Sequence, residues 1–282
     1  MTTQRYLSSH RSIRIRHLRL FALGLAGTTL TACSWVGVIA TEGPLLLTER
    51  RGLQSFTLSS ELPAQFGLSV TAWYGPVDEN QLNCQVTNLH NNKSQARELG
   101  KGFDIPINTT AASTSRKIPL TYYVGACELR LGKVEMEIDG RYGEQRWQQT
   151  YADAIFYIHK RAPEDEQGFD KNGTRQVDTQ CTWLFQQSKA KSRLGEISKL
   201  LTCRGAGANL QYDQLAGKTV KLAIEVNPEE EPYRDDTWIK FPSGWKPCLP
   251  KEGGWQRCQK PPVFKTFQMN GQTCTVYPGC TE

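Results

Sequence analysis

Histidine is scarce in this chain: four among 282 residues, of which His10 and His17 fall in the first 32, leaving His90 and His159 for the remainder. A Ser/His/acid triad would have to use one of those two. His90 lies in the polar stretch HNNK, and His159 ends an apolar run beside Lys160 and Arg161; neither has a visible partner of the kind a positioned general base requires. There is no G-x-S-x-G, which excludes the strand-to-helix elbow of the α/β-hydrolases. There is no C-x-x-C pair either, and with so few histidines that argues against zinc. Asp170-Lys171-Asn172-Gly173-Thr174 is too short of acids, with its glycine too early, for a calcium loop; an Asx-turn accounts for it better. Internal repeats and heptads are missing as well. The sequence thus predicts no catalytic residue, no metal and no cofactor.

The chain also has no apolar run long enough to cross a bilayer, for which about 20 residues are needed. The nearest approach is the thirteen-residue LRLFALGLAGTTL, Leu18 to Leu30. It follows a start that carries Arg5, Arg11, Arg14, Arg16 and Arg19 and no acid, and it ends in Leu30-Thr31-Ala32-Cys33. Basic start, short apolar centre and small residue before a cut make a secretory signal peptide over residues 1–32. The last four residues resemble the lipobox of bacterial lipoprotein precursors, with Leu30 at −3, Ala32 at −1 and Cys33 as acceptor. That resemblance implies diacylglyceryl transfer to the Cys33 sulfur, cleavage after Ala32 and acylation of the new amino terminus. One acyl chain binds a membrane only marginally, whereas several on one residue hold it durably. Ser34, where an Asp would favour inner-membrane retention, points to the inner leaflet of the outer membrane, facing the periplasm.

Charge adds little once the leader is set aside. The formal +6 of the whole chain comes from 34 basic and 28 acidic residues, and losing five arginines leaves 29 minus 28, or +1. The basic character belongs to targeting and is no nucleic-acid footprint. What the rest of the chain does have is cysteine: Cys84, Cys127, Cys181, Cys203, Cys248, Cys258, Cys274 and Cys280. An even number in an exported chain predicts disulfides, because the periplasm keeps thiols oxidised. Eight cysteines allow 105 pairings, and the simplest is sequential.

The hydrophobic period is two almost throughout. Phe66, Leu68, Val70 and Ala72 alternate with small polar residues until Gly75-Pro76, and Leu82, Cys84 and Val86 repeat the pattern. Leu120, Tyr122 and Val124, then Cys127, Leu129 and Leu131, then Val134, Met136 and Ile138 continue it, with Gly132-Lys133 and Asp139-Gly140 reading as turns. Further strands are expected at Ala152–Ile158, around Cys181, Trp183 and Phe185, and from Lys218 to Val226. Asn270-Gly271 predicts a hairpin whose two central residues have positive φ. Leu194, Ile197, Leu200 and Leu201 fit one face of a short helix. The fold class expected is mainly β: antiparallel and sandwich-like, in two disulfide-stapled β-rich domains with at most one or two short helices. A membrane-proximal lead covers 33–50, the first domain 51–159, a charged linker 160–176 and the second domain 177–282.

Two surfaces stand out as binding candidates. Trp238, Trp245 and Trp255 lie among prolines and cysteines near the carboxy terminus, where stiff aromatic loops could stack on sugars or fill a partner's pockets, or simply pack on their own domain. Glu229-Glu230-Glu231 and Asp235-Asp236 form an acidic run that could meet a basic partner. The sequence therefore predicts a lipid-anchored, non-catalytic binding protein whose partner is a protein, either a toxin or an envelope component. In overall plan it resembles the immunity proteins that neutralise toxins delivered into the periplasm, phospholipases among them. The alternative is an envelope assembly or cell-wall-contacting lipoprotein. The address is tested directly: Cys33→Ser is expected to abolish incorporation of radiolabelled palmitate, and unchanged labelling would refute the acceptor assignment.

Overall fold

Alternation of apolar and polar residues becomes strand after strand. A computed structural model describes residues 47–88, 93–161, 163–164, 166–187, 197–254 and 257–281. Cys33, Trp35, His90, Leu194 and Trp255 lie outside them. In chain order the strands are β1 (Arg50–Arg51), β2 (Ser55–Leu62), β3 (Phe66–Pro76), β4 (Gln85–Asn88), β5 (Lys93–Ala96), β6 (Leu99–Ile105) and β7 (Ala112–Pro119). Next come β8 (Thr121–Val124), β9 (Cys127–Arg141), β10 (Gln149–His159), β11 (Thr174–Gln186), β12 (Ser198–Arg204), β13 (Ala208–Gln211) and β14 (Thr219–Val226). The last five are short: β15 (Glu231–Pro232), β16 (Trp238–Phe241), β17 (Gly244–Pro247), β18 (Phe267–Met269) and β19 (Gln272–Cys274). The helical content among the described residues is three single 3₁₀ turns.

Two sheets face each other. In sheet A, β6, β3 and β9 lie side by side, and the other edge of β9 is shared by β8 and β10, which continue to β1 and β13. Sheet B runs β12-β11-β14-β2-β7, with β15 against the end of β11. Most pairs are antiparallel, but β11/β14, β11/β15, β14/β2 and β10/β13 are parallel. Between the sheets sit Leu68, Val70, Met136, Ile138 and Phe156 from one side and Phe56, Leu58, Val220 and Leu222 from the other, all 2% exposed or less. Each such side chain contributes about 1.5–3 kcal/mol by leaving water.

The carboxy-terminal part has its own small core of Phe185, Ile197, Trp238, Phe267, Cys274 and Tyr277. Tyr277 stacks on Phe185 at 4.1 Å between centroids, and Trp238 meets the same ring edge-on at 4.9 Å. Cys248–Cys258 and Cys274–Cys280 staple this module, while Cys84–Cys127 and Cys181–Cys203 lie in the sandwich. These are the sequential pairs. Cys181 and Cys203 are direct cross-strand partners in β11 and β12.

Two cores exist, but the boundary between them is not at 160–176. Strands β11, β13 and β14, from beyond that segment, complete both sheets built by residues 51–159 and share one core with them. The segment itself is tied down. Arg175, at the start of β11 and buried, donates from Nη2 to Glu166 at 2.5 Å and from Nη1 to the Asn209 carbonyl at 2.7 Å. Asn209 of β13 donates to Glu166 at 2.5 Å. One loop carboxylate thus bridges sheet A and sheet B, and its neighbours Asn209 and Arg175 hold its pKa below the usual range. Asp170 forms the expected Asx-turn, accepting from the amides of Asn172 and Thr174 at 2.9 and 2.7 Å.

Four local expectations change. Leu82 and Cys84 lie in a 3₁₀ turn, Leu82–Cys84, and only Val86 of that alternating set is on a strand, β4. Gly132 is no turn: β9 runs straight through it, and the register with β3 slips so that Trp73 faces Lys133 and Tyr74 faces Leu131, leaving Gly132 as the extra residue of a bulge. Asp139-Gly140 is no turn either. A Cβ on Gly140 would stand 2.7 Å from the Trp183 ring, so glycine there lets the two sheets close on each other. Leu200 and Leu201 lie on β12 and not on a helix. Asn270 and Gly271 do form the hairpin turn, at φ 53° and 72°.

No described disulfide joins residues before 160 to residues after 173. Cutting the loop at Lys171 with trypsin under native conditions is therefore expected to leave both fragments co-eluting on size exclusion, held by the shared core alone. Separation of the fragments without denaturant would restore the boundary at 160–176.

Candidate functional site

The outward face of sheet A carries the strongest concentration of one charge. Along β9 the sequence KVEMEIDGR alternates, so Val134, Met136 and Ile138 point into the core while Lys133, Glu135, Glu137, Asp139 and Arg141 point out. Cross-strand registers set their neighbours. Ser69 of β3 lies between Asp104 of β6 and Glu137 of β9, and Glu137 in turn faces Asp153 of β10. Asp139 faces Tyr151, and Lys133 faces Tyr157. Five carboxylates therefore occupy the middle of this stretch, with Lys133 and Arg141 at its two ends. Tyr151 and Tyr157 are 52% and 48% exposed on its rim.

Two shallow clefts meet at Ser69. One, of about 360 Å³, is lined by Ser69, Asp104, Ile107, Asp139 and Tyr151. The other, of about 460 Å³, is lined by Ser69, Thr71, Glu135, Glu137 and Asp153. Their electrostatics differ. Lys133 Nζ and Trp73 Nε1 each donate to Glu135 at 2.6 Å, and this pulls its pKa down. Lys133 also lies 5.7 Å from the centre of the Trp73 ring. Asp139 goes the other way: burial and then the like charge of Asp104 raise its pKa, against a 3.3 Å bond from the Ser69 hydroxyl. A cation brought to the Asp104/Asp139 end would relieve that repulsion.

The residues singled out in the sequence are placed elsewhere. Trp238 is buried at 5% exposure in the small core and offers no binding surface. Trp245 is half-buried against the same core, its amide bonded to the Tyr277 carbonyl at 2.8 Å, with Lys240 5.5 Å from its ring centre. The acidic run is largely paired internally: Glu230 meets Lys199 at 2.5 Å and accepts from the Tyr277 hydroxyl, Glu229 reaches Lys240 at 3.4 Å, and Asp236 reaches Arg257 at 3.6 Å. His159 bonds Asn209 at 2.9 Å at the end of β10. Among the described residues no group of three or more His, Cys, Asp or Glu could hold a metal ion.

The period-two acids of β9 were visible in the sequence as the polar half of a strand. Asp104 was not linked to them because the pairing of β6 and β3 with β9 is not local, and Asp153 was not because the turn read at Asp139-Gly140 hid the longer hairpin that joins β9 to β10. Raising the pKa of Asp139 means that its ionisation costs the folded state: its contribution is favourable below the ordinary aspartate value and is lost as pH rises through the raised one. Asp139→Asn is therefore expected to increase the urea midpoint at pH ~7, with the difference from wild type shrinking towards pH ~3.5, below the ordinary aspartate value of ~3.9. An equal gain at both pH values would rule out the raised pKa, whose main cause is burial. No protein-family model matches this chain, and neither do any curated protein or solved structure.

Proposed function

We propose that this chain is a lipid-anchored, non-catalytic binding protein of the bacterial envelope, facing the periplasm, and that it grips a basic protein partner on the acidic face of sheet A. The observation that carries this reading is the row Asp104-Ser69-Glu137-Asp153 with Asp139 beside it. Among the described residues nothing covers this four-strand face, which is negative in the middle and edged by exposed tyrosines. Tyrosine gives large contact area at small entropic cost, and complementary charge steers encounter and fixes register. A sandwich stapled by disulfides presents such a face with little to lose in ordering. The specific form of this reading is an immunity protein that neutralises a periplasm-acting toxin, for example a phospholipase. The competing assignment, a cell-wall-contacting protein using the tryptophan loops, is weakened by the burial of Trp238.

A photoreactive amino acid at Tyr151 or Tyr157 tests it in living cells. Both positions are expected to give protein adducts, Ser113 on the edge strand of sheet B to give none, and Glu137→Lys with Asp153→Lys to reduce the adducts at least tenfold. Equal adducts from both sheets, or adducts indifferent to the charge reversal, would overturn the proposal.

A further inference from the structure

The carboxy-terminal module bears a second surface, of opposite sign to the first. From Lys240 to Thr281 the sequence holds Lys240, Lys246, Lys251, Arg257, Lys260 and Lys265 against the single acid Glu252. Lys240 pairs with Glu229 and Arg257 with Asp236. Among these cations lies exposed apolar surface. Leu249, Val263 and Phe264 are 40%, 43% and 44% exposed, and the Leu249 amide bonds the Val263 carbonyl at 2.7 Å, so the two segments adjoin. Phe241 packs edge-on against Phe264 at 5.5 Å, and Lys246 Nζ lies 5.0 and 5.8 Å from the two ring centres. Pro242, Pro250, Pro261 and Pro262 are exposed around them. The Cys248–Cys258 bond fixes one of the two segments.

We propose that this surface docks on an anionic phospholipid bilayer. Phe264, Val263 and Leu249 enter the headgroup boundary, and the lysines that surround them meet the lipid phosphates. Apolar burial and attraction to anionic lipid reinforce each other in interfacial binding. A bilayer fits better than a glycan, since a sugar needs convergent, directional polar groups. The patch supplies aliphatic and aromatic carbon with cations on long flexible stems. The docking is independent of the acidic face and of acylation. Leu47 joins the body near the β8–β9 turn, where the Gly125 amide bonds Thr48 Oγ at 2.8 Å, whereas the module sits at the far end of β9, beyond Gly140. With Cys33 also acylated, the two attachments lay the long axis of β9 along the membrane.

The test uses residues 33–282 carrying Cys33→Ser, so that no acyl chain contributes, in co-sedimentation with vesicles of phosphatidylethanolamine and phosphatidylglycerol and with vesicles of phosphatidylcholine. Binding to the anionic vesicles alone is expected, falling as salt rises. Val263→Ser with Phe264→Ser should weaken it by about tenfold. Lys251→Gln with Lys260→Gln, two exposed loop positions that touch no packing, should weaken it about fivefold for each cation removed. Glu137→Lys with Asp153→Lys should leave it unchanged, which separates this surface from the acidic face. Equal binding to phosphatidylcholine, no binding to either vesicle, or indifference to the lysine substitutions would overturn the proposal. So would low-salt self-association lost with those same lysines, which would assign the surface to a second copy of this chain.

Discussion

Strand β2 lies between β7, its antiparallel neighbour 50 residues further along, and β14, its parallel neighbour from the other end of the chain. Sheet B cannot form until both halves of the sequence are present, and the core between the sheets cannot be dry without sheet B. The parallel pairs follow from this. A strand returning in the same direction as its neighbour needs a long crossover, and residues 187–218 supply it by building β12 and β13 on the way. The Glu166–Arg175–Asn209 cluster then closes the seam, with one carboxylate fastening a loop to strands of both sheets. The charged loop that looks like a spacer is thereby part of the body.

Much of this was legible in the alternation of residues, and the failures share a cause. Leu68, Val70, Met136, Ile138 and Leu222 are buried as their period-two placement demands, and the four disulfides are the sequential ones, with Cys181–Cys203 joining directly paired residues of adjoining strands. Gly132 and Gly140 misled because glycine has two uses, reversing the chain and letting something come close; here one is a bulge and the other makes room for Trp183. Leu200 and Leu201 misled because four apolar residues fit a helical stripe as well as a strand with both faces covered. The linker misled because a segment rich in charge carries no sign of the buried partner that will hold it. Of the binding surfaces, the acids of β9 could be seen in sequence, whereas Asp104 on β6 depended on a pairing made at a distance and Asp153 on a hairpin whose turn lies beyond the Asp139-Gly140 that looked like one.

The distribution of charge is the other organising feature. A chain that is close to neutral beyond its first 32 residues separates much of its charge in space, with carboxylates on the open face of sheet A and ammonium groups on the stapled module. The acidic run before β16 is largely spent inside the molecule, on Lys199, Tyr277, Lys240 and Arg257. The Tyr277 hydroxyl, buried and bonded to Glu230, is pushed far up in pKa and stays protonated, which keeps that contact a donated hydrogen bond across the neutral range.

Strand β11 passes through both cores, with Trp183 in the large one and Phe185 in the small one. The chain enters the carboxy-terminal module from β14, so a pull on the module reaches the sandwich by two routes, covalently through residues 227–237 and by packing through Phe185. Parting the two requires β14 to give up its bonds to β11 and β2 and Phe185 to leave Trp238 and Tyr277. The joint between module and sandwich is consequently a stiff one, suited to carrying tension without letting the far module swing.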